Sequence, residues 1–253
     1  MRSSKLIFLS DFHLVSNKPF FGLDTFSSLD AVISDILQNH PDAEYFILGG
    51  DLLEDLSVES FTFLQKQIAR LIGCKLFIRG NHDSDDDLYK QLAKDSLNSL
   101  SIFNGEIRPL ETYSKGKIHG EVSDKDFDSL YNEIKSLKDK DFIVCTHHNL
   151  TLTNSAWIDL YITKDYKNIV KKLSSLKNLK IVISGHVHLK SEQLVNGTLF
   201  LTSPSTSFQL NSNQSKFSLD KVNPGYVVIE ISENNRYSID IKRVSGHFGE
   251  PTI

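Results

Sequence analysis

The stretch "KLIFLSDFH", residues 5–13, decides how the chain is read. It opens as a short apolar run, too brief for a helix, and ends abruptly in an aspartate and a histidine two residues apart. The same design returns four times: "YFILGGD" (45–51), "KLFIRGNHD" (75–83), "DFIVCTHH" (141–148) and "KIVISGHVH" (180–188). Runs of this length, rich in branched and aromatic side chains, suit strands buried on both faces. In open α/β sheets, ligands gather beyond the carboxyl ends of the strands, where loops converge. Five strand ends that each carry oxygen or imidazole donors therefore predict one shared site.

Between these runs the periodicity changes from strand to helix. Asp24 or Thr25 caps a helix over "FSSLDAVISDILQNH", which places Leu29, Val32, Ile33 and Ile36 on one face. Ser57 caps "VESFTFLQKQIARLIG", with a stop at Gly73, and Ser123 caps "DKDFDSLYNEIKSL". A fourth helix is expected over residues 164–176, and the acids at 85–87 read as the first turn of another, favoured by its dipole. The last third changes character. Asn196-Gly197 between two extended runs is a hairpin signal, and "GYVVIEISENNRYSIDIKRV" repeats it with a longer turn at residues 233–235. Strands alternating with helices, followed by antiparallel strands, predict an α/β fold with mixed sheets. No repeat, linker or low-complexity tract breaks residues 1–253, so one domain is expected.

The bulk properties exclude several classes. Hydrophobic content of 40% and charged content of 24% are those of a globular chain with a full core. A net charge of -4 and a pI near 6.1 argue against general nucleic-acid binding, but leave room for a small anionic ligand at a local positive site. The two cysteines, Cys74 and Cys145, sit in apolar runs and suggest buried thiols rather than a disulfide framework. No run approaches membrane-spanning length, and "MRSSKLIFLSD" reaches Asp11 too soon for a signal peptide. A soluble, cytoplasmic protein without a membrane partner is expected; its oligomeric state is not legible.

Each polar cluster alone is ambiguous. Asp11-x-His13 is a common surface pair, and Asp51 after two glycines also fits a helix cap. Asn81-His82-Asp83 also fits a turn, and His147-His148 also fits one core and one exposed ring. His186-x-His188 directs both rings to one side if extended. Taken together, at five successive strand ends, they read as metal ligands. Two aspartates, an asparagine and three or four histidines with no thiolate suit Mn, Fe, Zn or Co, and argue against a structural thiolate zinc site. The donors are too many for one ion with an open position; two divalent or trivalent ions sharing a carboxylate would use them. Paired ions of this kind serve phosphoester cleavage.

In their order, "DFH", "GD", "GNHD", a later "H" and "GHVH" resemble the calcineurin-like metallophosphoesterase family, over about residues 5–190. The resemblance implies a four-layer α/β/β/α sandwich. It implies one ion held by Asp11, His13, Asp51 and His188, and a second by Asp51, Asn81, His147 and His186, with Asp51 bridging. It gives His82 the role of proton donor near the leaving oxygen, with Asp83 orienting it, and has Asn81 stabilise the transition state and contact substrate. His148 is expected behind or beside His147.

Longer segments, "DFHLVSNKPFFGLDTFSSLDAV", "KIHGEVSD", "HHNLTLTNSAWID", "GHVHLKSEQLVNGTLFLTSPSTSFQL" and "FSLDKVNPGYVVIEI", are similar to the bacterial class III cyclic nucleotide phosphodiesterases, most of all the 3′,5′-cyclic AMP branch. The likeness implies hydrolysis of a small anionic nucleotide by a metal-activated water. Asn149 stands where the family's histidine pair is usually followed by proline, which would loosen the loop carrying His147. The loop "SPSTSFQL" (203–210) reads either as a polar turn or as the nucleotide side of the cleft, through Ser205, Thr206 and Gln209. Trp157 reads as a base-stacking or a packing residue, His119 as a structural hydrogen-bonding group, and His40 and His247 as solvated. The rival readings are another phosphodiester or a phosphomonoester at the same centre, and a scaffold that keeps the fold without turnover.

Overall fold

The computed structural model describes residues 2–84, 86–234 and 236–253, apart from the side chains of Asp86, Leu88 and Asp95. The five apolar runs become β1 (Ser3–Leu9), β2 (Ala43–Leu48), β3 (Cys74–Phe77), β6 (Asp141–Thr146) and β7 (Leu179–Ser184). Two short strands, β4 (Leu100–Ile102) and β5 (Gly105–Pro109), precede β6. The Asn196-Gly197 signal holds: β8 (Ser191–Val195) and β9 (Thr198–Thr202) pair antiparallel, and both turn residues have positive φ, 50° and 92°. Two-residue strands β10 (Gln209–Leu210) and β11 (Leu219–Asp220) pair next, followed by the long hairpin of β12 (Gly225–Ser232) and β13 (Tyr237–Arg243). Asn235, in the expected turn of that hairpin, lies outside the described residues.

Two mixed sheets result, in the orders β13-β12-β1-β2-β3 and β4-β5-β6-β7-β9-β8. In each, the ligand-bearing strands run parallel to one another; β12 lies antiparallel beside β1 in the first sheet, and in the second the parallel β5–β6–β7–β9 core is edged by the antiparallel β4 and β8. Strand alternation sorts the core into layers. Leu6, Phe8, Ile47, Ile143, Cys145, Ile181 and Ile183 meet between the sheets. Ile7, Leu9, Phe46 and Leu48 turn the other way, against α1 (Thr25–Asn39) and α2 (Val58–Arg70). Phe142, Val144 and Val182 pack against α4 (Asp124–Ser136) and α5 (Tyr166–Leu173). Helix, sheet, sheet, helix is the four-layer order.

Local details refine the expectations. Asp24, Ser57 and Ser123 cap α1, α2 and α4 with their side chains, as the sequence predicts. Helix α2 ends at Arg70, short of Gly73, because Leu71 turns extended. Helix α5 is shorter than residues 164–176 and starts after Asp165, whose φ is 54° and whose side chain makes no cap. Helix α3 (Asp86–Leu92) begins inside the acidic run; Asp85 lies outside the described residues. Cys74 is exposed rather than buried, since it opens β3 at the sheet's outer end, whereas Cys145 is fully buried. Among the described residues, no helix is long and apolar enough to cross a membrane.

Candidate metal centre

The loops leaving β1, β2, β3, β6 and β7 converge on one end of the two sheets. They bring together Asp11, His13, Asp51, Asn81, His147, His186 and His188, and all of these but Asn81 are buried. Five of the seven, Asp11, His13, Asp51, His186 and His188, have φ between 44° and 68°. Left-handed backbone is costly for residues with a Cβ, and such outliers collect at functional sites. Close approach is needed as well: a Cβ on Gly80 would lie 2.1 Å from Asp51 Oδ1, and one on Gly185 would lie 2.7 Å from Asp11 Oδ2.

Hydrogen bonds behind the rings fix their tautomers. His13 Nδ1 faces Glu54 Oε2 at 2.9 Å, His188 Nδ1 the Phe208 carbonyl at 2.9 Å, and His147 Nδ1 the Gly49 carbonyl at 2.7 Å. Each partner is an acceptor, so each Nδ1 carries the proton and each Nε2 presents a lone pair inward. There, His13 Nε2 and His188 Nε2 stand 3.1 Å apart. His147 Nε2 faces Asn81 Oδ1 at 3.2 Å and Asp51 Oδ2 at 3.3 Å. Lone pairs that face lone pairs at such distances require a cation or a proton between them. His186 Nε2 adds a buried nitrogen with no hydrogen-bond partner. The donor set thus fits metal.

Asp11, His13 and His188 form one group of donors mutually within 4.8 Å, and Asp11, Asp51 and His147 form another, so that Asp11 is common to both. Asp51 also falls within the same limit of His13 and His82. His148 is within reach of His147 and His186, yet its own nitrogens are occupied by Thr112 Oγ1 at 2.9 Å and the Ile118 carbonyl at 3.0 Å. It stands behind the cluster, not in it.

Electrostatics follow from this crowding. Burial opposes the Asp51 charge, but His147 and His82 overcome it and hold the carboxyl well below its ordinary value. Burial likewise opposes a charged His147, and the Asp51 carboxylate pushes it up to about 10. Burial drives His186 well below the usual imidazole range, helped by the neighbouring His147. Burial also opposes a charged His82, which Asp51 and Glu54 nevertheless raise to about 9.

Three expectations need correction. Asp83 does not orient the His82 ring. Its carboxylate accepts backbone N–H groups from Asp51 (2.8 Å), Leu52 (2.9 Å) and Gly80 (2.9 Å), so it shapes the β2 and β3 loops. Glu54 is the residue against His82 Nδ1, at 2.8 Å. An acid three positions after Asp51 in "GDLLED" was the available signal for it. Thr206, Ser205 and Gln209 do not line the cleft. All three are buried; Ser205 donates to the Asp11 carbonyl at 2.8 Å, and Gln209 donates to the Ser205 carbonyl at 2.7 Å. This loop buttresses Asp11 from behind, and of its residues Phe208 and Leu210 reach the cleft. His40 is half-buried against Tyr226 rather than solvated, with both ring nitrogens unpartnered.

Elsewhere the reading is refined. Asn149 is fully buried and donates to the Thr151 carbonyl at 2.8 Å, which ties the loop that lacks proline. His119 approaches Glu121 at 3.5 Å. Trp157 faces the cleft and also packs on Tyr161 and Phe217.

Comparison with known proteins agrees with this architecture. The 3′,5′-cyclic adenosine monophosphate phosphodiesterase CpdA of Vibrio vulnificus is 25% identical over 253 residues, covering 97% of this chain and 92% of that one. Its namesake from Escherichia coli K12 is 24% identical over 247 residues, covering 95% and 90%. A dimetal phosphatase from Danio rerio superposes with a TM-score of 0.68 at 10% identity, covering 96% of this chain and 99% of the other, which shows a shared fold. The family model for calcineurin-like phosphoesterases matches residues 4–190, which include every ligand loop. With that match over most of its length, the chain belongs to the calcineurin-like phosphoesterase family and is a phosphoester hydrolase.

Proposed function

We propose that the protein is a binuclear-metal phosphodiesterase that hydrolyses a cyclic nucleotide, 3′,5′-cyclic AMP to AMP in the first instance. The observation that carries this reading is the 3.1 Å approach of the His13 and His188 lone pairs beside a buried aspartate shared between two donor groups. Asp11, His13, Asp51 and His188 would hold one ion, and Asp51, Asn81, His147 and His186 the other. Such ions, of the Fe, Mn, Zn or Co type, supply a water made acidic enough to ionise near neutrality and neutralise charge on the phosphoryl oxygens. The names of the CpdA relatives support the substrate.

The chain's own residues supply the rest. Asp51 Oδ1 accepts the His82 backbone N–H at 2.8 Å, which sets the proton donor beside the shared carboxylate. Glu54 Oε2 accepts a hydrogen bond from His82 Nδ1–H at 2.8 Å and leaves Nε2 as the atom that protonates the departing ribose oxygen. Burial opposes a proton on both ring nitrogens, and the Asp51 and Glu54 carboxylates favour it, raising the ring to about 9. Asn81, on the same loop, presents its amide to the phosphate and steadies its growing negative charge.

The test is a hydrolysis panel on metal-reconstituted protein: cyclic AMP, cyclic GMP, an aryl diester and an aryl monoester. Cyclic AMP should be cleaved, and Asp51→Asn should lose both turnover and metal. Cleavage of the monoester alone would move the protein to a phosphomonoesterase reading, and no cleavage with two ions bound would make it a scaffold.

A further inference from the structure

The cleft that holds the metal centre has a volume of about 540 Å³ and two unlike halves. One half is the ligand cluster with Glu54, Asn81 and His82. The other is a run of aromatic rings that begins on the ligands themselves. Phe208 packs on His188 at 4.3 Å and on His13 at 5.4 Å between ring centres. Phe21 follows at 4.8 Å from Phe208, and Phe217 at 5.2 Å from Phe21. Trp157 follows at 4.9 Å from Phe217, and Tyr161 at 5.7 Å from Trp157. Phe20, stacked on His13 at 5.8 Å, completes the wall.

What the wall lacks matters as much. Among the described residues lining the cleft there is no lysine or arginine, and the carboxylates and imidazoles all belong to the metal end. Any negative charge on a ligand therefore finds its match at the metal end alone. Away from the metal end the lining side chains are aromatic rings and the aliphatic Ile118, Ile158, Leu210 and Ile253, with the Trp157 indole N–H and the Tyr161 hydroxyl as their polar groups. Discriminating one nucleobase from another takes donors and acceptors set against the base edge. Stacking on ring faces is tolerant, because every base has a π-face.

We infer that this wall takes the organic group of a singly charged phosphodiester by stacking and desolvation, so that the site selects for one negative charge and a flat ring while reading the base edge little. The inference rests on the phosphodiesterase reading above and narrows its substrate class. Adenine and guanine cyclic nucleotides are then near-equivalent substrates, and diesters with further phosphates along the chain are poor ones. Phe217 and Tyr161, which touch neither ligand nor proton donor, are the specificity-determining residues.

The chain has one tryptophan, so its fluorescence reports on the wall directly. Titration of the holoenzyme with AMP and with GMP should quench Trp157 with dissociation constants within about threefold of each other. Phe217→Ala should weaken both by ~10-fold. It should also raise KM for cyclic AMP and cyclic GMP by a similar factor with kcat nearly unchanged, and leave glycerol 1,2-cyclic phosphate, which carries no aromatic base, unaffected. Phe217→Tyr, which keeps the ring face, should restore wild-type values; Tyr161→Leu serves if the alanine variant is unstable. A hundredfold preference for one purine, or an unchanged KM in both variants, would overturn the inference and leave the phosphodiesterase reading intact. Quenching by AMP and GMP without turnover of any diester would do the reverse.

Discussion

His82 Nδ1 lies 2.8 Å from Glu54 Oε2, and the same carboxylate oxygen stands 2.9 Å from His13 Nδ1. One side chain thus holds a proposed metal ligand and the proposed proton donor in a fixed relation. Burial opposes the Glu54 charge, and the two imidazoles overcome it, bringing the carboxyl down to about 2. Glu54→Gln keeps the shape and removes the charge that favours protonated His82. Turnover should fall by about 10²-fold, the scale of general acid assistance. The loss of activity at high pH should begin at lower pH than in the wild type, because the His82 pKa falls without that charge. Metal analysis should find both ions retained; an unshifted alkaline limb would remove Glu54 from this role.

His82→Ala tests the donor itself. Turnover of cyclic AMP should fall by about 10²–10⁴-fold. An aryl diester, whose leaving group needs little protonation, should suffer far less. Equal losses on both substrates would argue for a role in binding the phosphate.

The Gly80 position gives a steric test of the shared aspartate. A Cβ there would lie 2.1 Å from Asp51 Oδ1. Gly80→Ala should displace that carboxylate and cost metal affinity by about 10–100-fold, as loss of support around a ligand commonly does. Calorimetric titration of the metal-free protein measures this directly.

Left-handed backbone at His186, with φ of 68°, predicts a trade between stability and function. Asparagine tolerates that conformation better than histidine. In metal-free protein, His186→Asn should raise the melting temperature by about 2–4 °C, the equivalent of about 1 kcal/mol in a chain of this size. The same change should abolish binding of the second ion. A lower melting temperature would show that the histidine is not strained.

Asp55 supports the site from the α2 side. Its carboxylate accepts from Ser16 N at 2.8 Å, Ser16 Oγ at 2.9 Å and Ser57 Oγ at 2.8 Å. Burial works against its charge, but these donors bring the carboxyl down to about 2. A folded-state value below the unfolded one gives stability that is present above the unfolded pKa, about 3.9. That stability is lost as pH falls through about 2. Asp55→Asn should therefore be about 1 kcal/mol less stable than wild type at pH 7, a figure already discounted for solvent. The gap should narrow from about pH 4 downward and close only below pH 2, as urea unfolding would show.

The parts of this site legible in the sequence share one property: each is a consequence of strand length and the donor that follows it. Asp51 and His186 announce themselves because a buried strand ends two or three residues earlier. Glu54 does not, since its partners His13 and His82 lie 41 and 28 positions away in the chain, and nothing local marks an acid as their common acceptor. Asp83 misleads for the same reason: adjacency to His82 suggests a pair, while its carboxylate is consumed by three amide protons across the β2 loop. Thr206 belongs to a polar loop that sequence alone cannot turn inward or outward. The fold fared better, because alternation along β1 and β6 already separates the residues that meet between the sheets from those beneath the helices.

Asp51 comes from the sheet built on β1, and His147 and His186 from the sheet built on β6. Ions seated among them would rivet two slabs that otherwise meet mainly through a greasy seam. Shear along that seam would then be opposed by coordination bonds at one end, and at the other by the weaker hold of the Tyr237 hydroxyl, which donates to Asp141 at 3.2 Å. Loaded protein should breathe from the far edge, like a book held shut at its spine.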